Sequence, residues 1–121
     1  LGAAKTVDRI IDAFPPHNKD QIRVQIASVL QGVVSQQLLP SRSGIGRIPA
    51  CEIMIPTPGI RNLIREHKNH QIVNAIQTGK NMGMILMDDS LKQLYRSGQI
   101  SKDQCIEFAL ERDEMVKEIG Y

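Results

Sequence analysis

Near the middle of the chain the sequence reads Thr57-Pro58-Gly59-Ile60-Arg61-Asn62-Leu63-Ile64-Arg65-Glu66. The pattern predicts the start of a helix, because the Thr57 hydroxyl can cap a free backbone N–H and Pro58 suits the first helical position. Three apolar side chains at positions i, i+3 and i+4 predict one buried stripe: Ile60, Leu63 and Ile64. The other side is densely polar: Arg61, Asn62, Arg65, Glu66 and Lys68. This polar side is either the solvated face of an ordinary packed helix or a docking face for another domain or subunit.

The segment from Gly59 to Glu66, GIRNLIRE, resembles the AIRNLIRE signature of the PilT family, the ATPases that retract type IV pili and belong to the secretion-ATPase family. The one departure is Gly59 in place of alanine, which costs about 1 kcal/mol of helix propensity. The resemblance continues on both sides over nearly all 121 residues. Residues 1–12, LGAAKTVDRIID, resemble the helix that directly follows the histidine box of that family.

The composition is that of an ordinary globular domain, with 41% hydrophobic and 23% charged residues. Aromatic residues make up only 3%, so an aliphatic core is expected. The net charge of +2 and the scarcity of aromatic residues argue against nucleic-acid binding. No apolar run approaches the ~18 residues of a membrane span, so no direct membrane insertion is expected. Cys51 and Cys105 form no CxxC pair and are expected to be reduced and buried.

Periodicity and capping residues predict the order of the elements along the chain. Predicted helices cover residues 3–14, a segment from Asn18 that stops at Gly32, residues 59–68, a segment from Asn69 that ends before Gly79, a segment from Asp88 or Asp89 to Gly98, and a last segment from Ser101 towards Met115. Asn18 with Gln21, and Ser101 with Gln104, have the spacing of capping boxes. Residues 33–39 and 47–55, joined by a polar turn with two glycines, predict a β-hairpin.

The predicted fold class is mixed α/β and mainly helical. The resemblance implies that residues 1–56 are the end of a RecA-like P-loop ATPase core, comprising two helices and the hairpin. It implies that residues 57–121 are a C-terminal helical subdomain. A two-stranded hairpin is marginal alone. Either helices of this chain cover it or it belongs to a larger sheet, and the resemblance favours the larger sheet.

No pattern for catalysis is found in the sequence: GxxxxGK[ST], GxSxG and HExxH are all absent. His67 and His70 lie three residues apart, but a predicted helix start at Asn69 separates their faces, and a zinc site needs a third ligand. The Asp88-Asp89 pair is better explained as a helix start than as a pair of catalytic carboxylates. We therefore expect no catalytic residue and no metal site in this chain.

The resemblance implies that the full-length protein is a hexameric ATPase motor that powers pilus retraction and twitching motility. ATP and Mg²⁺ are then bound mainly upstream, the 121 residues alone are inactive, and Gly59–Glu66 is a coupling motif. Arg61 and Arg65 are expected to contact other domains or partners, because their forked donors suit carboxylates. Arg23 and Arg47 are weaker candidates for contacts near the nucleotide or between subunits, with surface salt bridges as the alternative. The implied partners are further copies of the chain and the inner-membrane machinery at the pilus base, which places the protein in the cytoplasm, peripheral to the inner membrane.

Two other functions are compatible with the sequence. One is a segment of a pilus-extension or type II secretion ATPase, although those relatives typically carry a four-cysteine zinc-binding insertion and this chain has two cysteines. Residues 35–40, SQQLLP, also resemble the retraction branch. The other is a non-enzymatic helical module that binds a protein through the polar face of residues 59–66.

Overall fold

The computed structural model describes residues 2–120. Within these residues, seven α-helices and two strands follow in the order α1 Ala3–Asp12, α2 Lys19–Val29, β1 Val33–Pro40, β2 Arg47–Met54, α3 Pro58–Arg65, α4 Ile72–Thr78, α5 Met87–Arg96, α6 Lys102–Phe108 and α7 Arg112–Ile119. Short 3₁₀ turns lie at Pro16–Asn18, Asn69–Gln71 and Lys80–Met82. The predicted mixed α/β, mainly helical fold class is confirmed. Leu1, which opens the stretch that resembles the helix after the histidine box, lies outside the described residues, as does Tyr121.

The two strands form the predicted antiparallel hairpin, with a register that runs from Val33 opposite Met54 to Pro40 opposite Arg47. One face of β2 is buried against helices and consists of Ala50, Glu52 and Met54. Ile53 points to the other side and exchanges backbone hydrogen bonds of 2.9 and 3.2 Å with Ile85. Helices of the chain therefore cover one face of the hairpin.

The hydrophobic core consists of two clusters that both include the hairpin. The first cluster joins α1–α4 to the open end of the hairpin, and its members are Ala3, Val7, Ile11, Ala27, Val33, Met54, Ile60, Ile64, Ile72, Ile76 and Met84. The second joins α5–α7 to the tip, and its members are Leu39, Ala50, Met87, Leu91, Ile100, Cys105, Ala109 and Met115. The buried members of both clusters are aliphatic or sulfur-containing, as the composition predicts, and the half-buried Tyr95 and Phe108 pack against the second cluster.

Cys105 is buried in the second cluster, with its thiol 3.6 Å from the Met115 sulfur. Burial raises the pKa of the Cys105 thiol above its ordinary value, because the thiolate loses its hydration there. Cys51 is only half-buried. The prediction of two free cysteines is confirmed, and the prediction that both are buried is right for Cys105 alone.

The last predicted helix is two helices in the structure, because Ala109 adopts an extended conformation (ψ 141°). Helix α5 begins at Met87, before both predicted starts, Asp88 and Asp89. The Asp88 carboxylate instead accepts hydrogen bonds from the backbone N–H groups of Leu110 (2.8 Å) and Glu111 (3.0 Å). A side chain of α5 thus holds the junction between α6 and α7.

Lys92 also joins α5 to α7, since its ammonium lies 2.9 Å from an Asp89 oxygen and contacts the Glu118 carboxylate. Burial by itself lowers the pKa of Lys92. Its hydrogen bonds to Glu118 and Asp89, and the negative charges of these residues, outweigh burial, so that the pKa is raised above 10.5.

Two of the predicted helix caps are absent from the structure. Asn18 makes no capping hydrogen bond, because it ends a 3₁₀ turn and already has near-helical backbone angles, so the capping box with Gln21 is absent. Asn69 does not cap α4 either; it is buried, and its amide donates to an Asp8 oxygen at 2.6 Å. The Ser101–Gln104 capping box is present with both of its hydrogen bonds.

Candidate functional site

The polar helix predicted from the sequence is α3, and it begins as the sequence predicts. The Thr57 hydroxyl accepts a hydrogen bond from the Ile60 N–H at 3.2 Å, and Pro58 occupies the first helical turn. Ile60 and Ile64 are completely buried, and Leu63 is half-buried. The apolar stripe therefore holds α3 in the core, and the polar side chains of α3 are free to make contacts outside the core.

Arg61 makes its contact within this chain. One guanidinium nitrogen (Nη1) donates to the carbonyl oxygen of Ala27 at 2.6 Å. Helix α2 ends at Val29, so this carbonyl belongs to the last turn, where no intrahelical N–H is left to pair with it. A positive charge at this end also complements the helix dipole. Arg61 thus caps α2 and positions α3 against it.

Arg65 is exposed, and its charge has no carboxylate partner among residues 2–120. Its guanidinium donates to the side-chain oxygen of Asn62 at 2.7 Å, which is a neutral acceptor one turn earlier. The nearby Glu66 pairs with Lys68 at 3.2 Å instead. Arg65 therefore keeps both its positive charge and most of its five donors for an outside acceptor.

Helix α3 ends at Arg65, earlier than the predicted residue 68, in a reversal that the sequence does not suggest. His67 has a positive φ of 58°. The N–H of Lys68 donates to the Leu63 carbonyl at 2.8 Å and the N–H of His67 to the Ile64 carbonyl at 3.2 Å. These two bonds form a Schellman motif, which usually places glycine at the position of His67.

A groove of about 370 Å³ runs along α3 on the side of α4. Its lining is mostly apolar: Thr57, Gly59, Ile60, Leu63, Ala75, Thr78, Gly79, Met82 and Met84. Met82 is 56% exposed at its edge. By contrast, the exposed face that carries Arg65 lies on the opposite flank of α3, since 100° per residue places Arg65 far from Leu63.

The two weaker arginine candidates lie apart from each other. Arg23 is buried on α2, with one nitrogen 2.7 Å from an Asp20 oxygen and with its Nε lacking a hydrogen-bond partner. Arg47 is exposed and pairs with Pro40 at the tip of the hairpin. Seven residues of strand separate Arg47 from the open end of the hairpin, roughly 23 Å. Among the four candidate arginines, Arg23 lies on α2 and Arg61 bonds the end of the same helix.

Three or more metal-ligating side chains do not converge anywhere in residues 2–120. His67 and His70 are both exposed, on either side of the turn that begins at Asn69. No helix of the described chain is long and apolar enough to cross a membrane.

A buried polar residue that the sequence does not single out is Glu52. It is 4% exposed in the middle of the inner face of β2 and accepts hydrogen bonds from two helix N-termini. The alternation of Ala50, Glu52 and Met54 was the available signal, since it places the glutamate on the same face as two apolar residues.

Comparison with known proteins adds the identity of the relatives, although no family model matches. The chain is 48% identical over 102 residues to a twitching motility protein of Neisseria gonorrhoeae, covering 84% of this chain and 27% of that protein. It is 49% identical over 107 residues to the type IV pilus retraction ATPase PilT of Pseudomonas aeruginosa, covering 88% of this chain and 31% of PilT. A solved structure of the pilus retraction motor PilT with bound ADP superposes with a TM-score of 0.81 at 37% identity, covering 93% of this chain and 31% of that chain. The chain thus spans about 30% of the length of these relatives, and its fold matches the C-terminal region of the solved PilT structure.

Proposed function

Because the chain is a homologue of PilT over most of its own length, as the GIRNLIRE signature indicates, we propose that it is the C-terminal part of a motor that retracts type IV pili. In this proposal the full-length protein is a hexameric ATPase in the cytoplasm, held at the inner membrane by the pilus machinery. ATP, with Mg²⁺, supplies the energy of the motion and is bound mainly by residues upstream of this segment. The bound ADP in the PilT structure supports a nucleotide-driven function.

We assign this segment a role in coupling between domains and subunits rather than in hydrolysis. Its sequence contains no phosphate-binding GxxxxGK[ST] loop. The relatives are about three times as long, which leaves room for such a loop in the part that this chain does not match. The segment by itself is therefore expected to be inactive.

The hairpin supports the proposed place of residues 1–56 at the end of a RecA-like core. Beyond its pairing with β2, strand β1 has no strand neighbour among the described residues. Its outward side chains Val34 and Leu38 are 67% and 51% exposed. An open strand edge with exposed apolar side chains fits a sheet that continues into another part of a longer protein. Residues 57–121 then form the helical subdomain that follows.

The observation that carries the coupling role is the exposed, uncompensated charge of Arg65 on α3. Arg61 is already engaged with Ala27, whereas Arg65 is held only by a neutral amide. A forked guanidinium with free donors binds a carboxylate strongly and with defined geometry. We therefore assign partner docking to Arg65 and the positioning of α3 to Arg61.

The decisive experiment measures ATP hydrolysis and pilus retraction by the full-length protein carrying Arg65→Ala. The expected result is retained hydrolysis with lost retraction, because the change removes the proposed contact to a partner and, inside the chain, a surface hydrogen bond to Asn62. Arg112→Ala is the matched control, since Arg112 is also exposed and also bonds a neutral acceptor, the Glu107 carbonyl, at 3.0 Å. Normal retraction by a folded Arg65→Ala protein would show that the docking role is wrong.

A second measurement compares ATP turnover by the 121-residue chain with that of a form extended upstream to its natural start. Activity only in the extended form is expected. Turnover by the short chain would reveal a catalytic site in it and refute the assignment of hydrolysis to upstream residues. Absence of turnover in both forms would favour the non-enzymatic interaction module instead.

A further inference from the structure

Glu52 lies between the two core clusters. It projects from the inner face of β2, with Ala50 of the second cluster on one side and Met54 of the first cluster on the other. Its side chain is almost fully buried, with the residue 4% exposed. A buried carboxylate needs hydrogen-bond donors to compensate for its lost hydration.

Two helix N-termini supply those donors, one from each cluster. Oε2 of Glu52 accepts from the N–H of Ala3, the first residue of α1. Oε1 accepts from the N–H of Met87, the first residue of α5, at 3.1 Å. Neither helix has a capping hydrogen bond from its own N-cap side chain, since Gly2 and Leu86 occupy those positions. One carboxylate therefore caps both helices, and the positive ends of both helix dipoles stabilise its charge.

From this arrangement we infer that Glu52 couples α1 to α5, so that a displacement at the start of one helix is transmitted to the start of the other. The two oxygens of a carboxylate are held at a fixed separation. When one N-terminus shifts, the carboxylate follows it and loses its geometry towards the other, which leaves a buried N–H without an acceptor. Because the unpaired donor raises the free energy of the folded chain, the positions of the two helix starts depend on each other.

An open cleft beside Glu52 gives the two clusters room to move relative to each other. The cleft has a volume of about 440 Å³ and contains Glu52 in its lining. Val73 of the α4 side and Leu110 of the α6–α7 junction also line it, and they are 44% and 50% exposed. The clusters are not closely packed against each other along this side. The hydrogen bonds of the shared Glu52 carboxylate therefore account for a larger part of the contact between the clusters.

Gly2 offers a way to disturb the carboxylate from the α1 side alone. A Cβ atom added to Gly2 would lie 2.7 Å from Oε2 of Glu52, which is too close for a non-bonded contact. The backbone of Gly2 has φ −81° and ψ 173°, a conformation that alanine adopts without strain. Gly2→Ala therefore pushes on the Glu52 carboxylate without straining the backbone of residue 2.

The test measures hydrogen exchange of the Met87 amide by NMR in the 121-residue chain, for Gly2→Ala in the wild-type and the Glu52→Ala backgrounds. In the wild-type background Gly2→Ala is expected to lower the protection of the Met87 amide by roughly tenfold, although residue 2 adjoins Ala3 of the other cluster. In the Glu52→Ala background the protection is already low, and Gly2→Ala is expected to add nothing. The control is Gly59→Ala, whose new Cβ would have only the Thr57 hydroxyl within 4 Å, at 3.8 Å, and which should leave Met87 unchanged.

Two results would overturn the inference. The first is an unchanged Met87 amide in the Gly2→Ala chain when the Ala3 amide does change, because the displacement then stops at α1. The second is an equal effect of Gly2→Ala with and without the carboxylate, because another route then connects the helices. If Glu52→Ala does not fold, Glu52→Gln serves in its place, since its amide keeps the shape of the side chain and can accept only one of the two hydrogen bonds.

Discussion

Arg61 and Arg65 lie one turn apart on the same helix, and the structure assigns them unequal contributions to stability. Arg61 bonds the free Ala27 carbonyl at the end of α2 at 2.6 Å, while Arg65 bonds only the Asn62 amide at the surface. Replacing each arginine with alanine removes the same side chain from two positions, so the two variants can be compared directly. Arg61→Ala is expected to destabilise the chain, and Arg65→Ala to leave its stability nearly unchanged.

The size of the difference follows from the contacts. A hydrogen bond from a charged donor contributes about 1.5–3 kcal/mol when buried. Arg61 is half-buried, so the lower end applies, and its favourable placement at the C-terminus of α2 is part of the same contact. We expect a loss of about 1.5 kcal/mol for Arg61→Ala. Exposed arginines held by a neutral neighbour contribute within about 0.5 kcal/mol, which is the expectation for Arg65→Ala.

Urea denaturation of the wild-type chain and both variants measures these free energies of unfolding, with equal m-values as the condition for comparing them. Arg61→Lys is a useful third variant, because a lysine keeps the charge near the helix end but lacks the forked geometry, and it should recover part of the loss. Equal destabilisation by Arg61→Ala and Arg65→Ala, or a loss below about 0.5 kcal/mol for Arg61→Ala, would refute the assignment of Arg61 to the end of α2.

Three further predictions concern other parts of the chain. His67→Gly should raise the free energy of unfolding by about 0.5–1 kcal/mol in the same urea assay, since glycine adopts the positive φ of 58° at this helix end without steric cost; a loss of stability would contradict this. The pKa of Lys92 is raised on folding, so its stabilising contribution is present below the unfolded pKa near 10.5 and is lost as the pH rises through the folded pKa. Melting temperatures measured from neutral to alkaline pH should show this loss in the wild type. The Lys92→Met variant should show less of it. Iodoacetamide should alkylate Cys51 much faster than Cys105 in the native chain and both at similar rates in urea, because Cys105 is buried with a raised pKa; equal native rates would contradict the packing of the second cluster.

The sequence alone determined the features that depend on a few neighbouring residues. Thr57 and Pro58 predict the start of α3, and Ser101 with Gln104 predicts the start of α6, because a helix cap involves side chains and N–H groups within three or four positions. The hairpin is predicted for the same reason, from two β-rich runs around a glycine-bearing turn. The family resemblance was carried by short stretches of sequence, above all GIRNLIRE, and the comparisons confirm it over most of the chain.

The tertiary structure alone decided which polar side chains form hydrogen bonds to distant parts of the chain. Arg61 reaches a carbonyl 34 residues away, and Asn69 reaches Asp8 across 61 residues, so neither partner can be recognised from local spacing. Asn69 is a residue type that often caps helices. Here it is buried beside α1, and its amide donates to Asp8 instead.

Glu52 shows the physical reason most directly. A glutamate in a strand is ordinarily exposed. Its burial here is possible because the first N–H groups of two helices, 49 and 35 residues away in sequence, donate hydrogen bonds to its two oxygens. Local propensity determines where helices and strands form, while the pairing of their ends depends on how the chain folds back on itself.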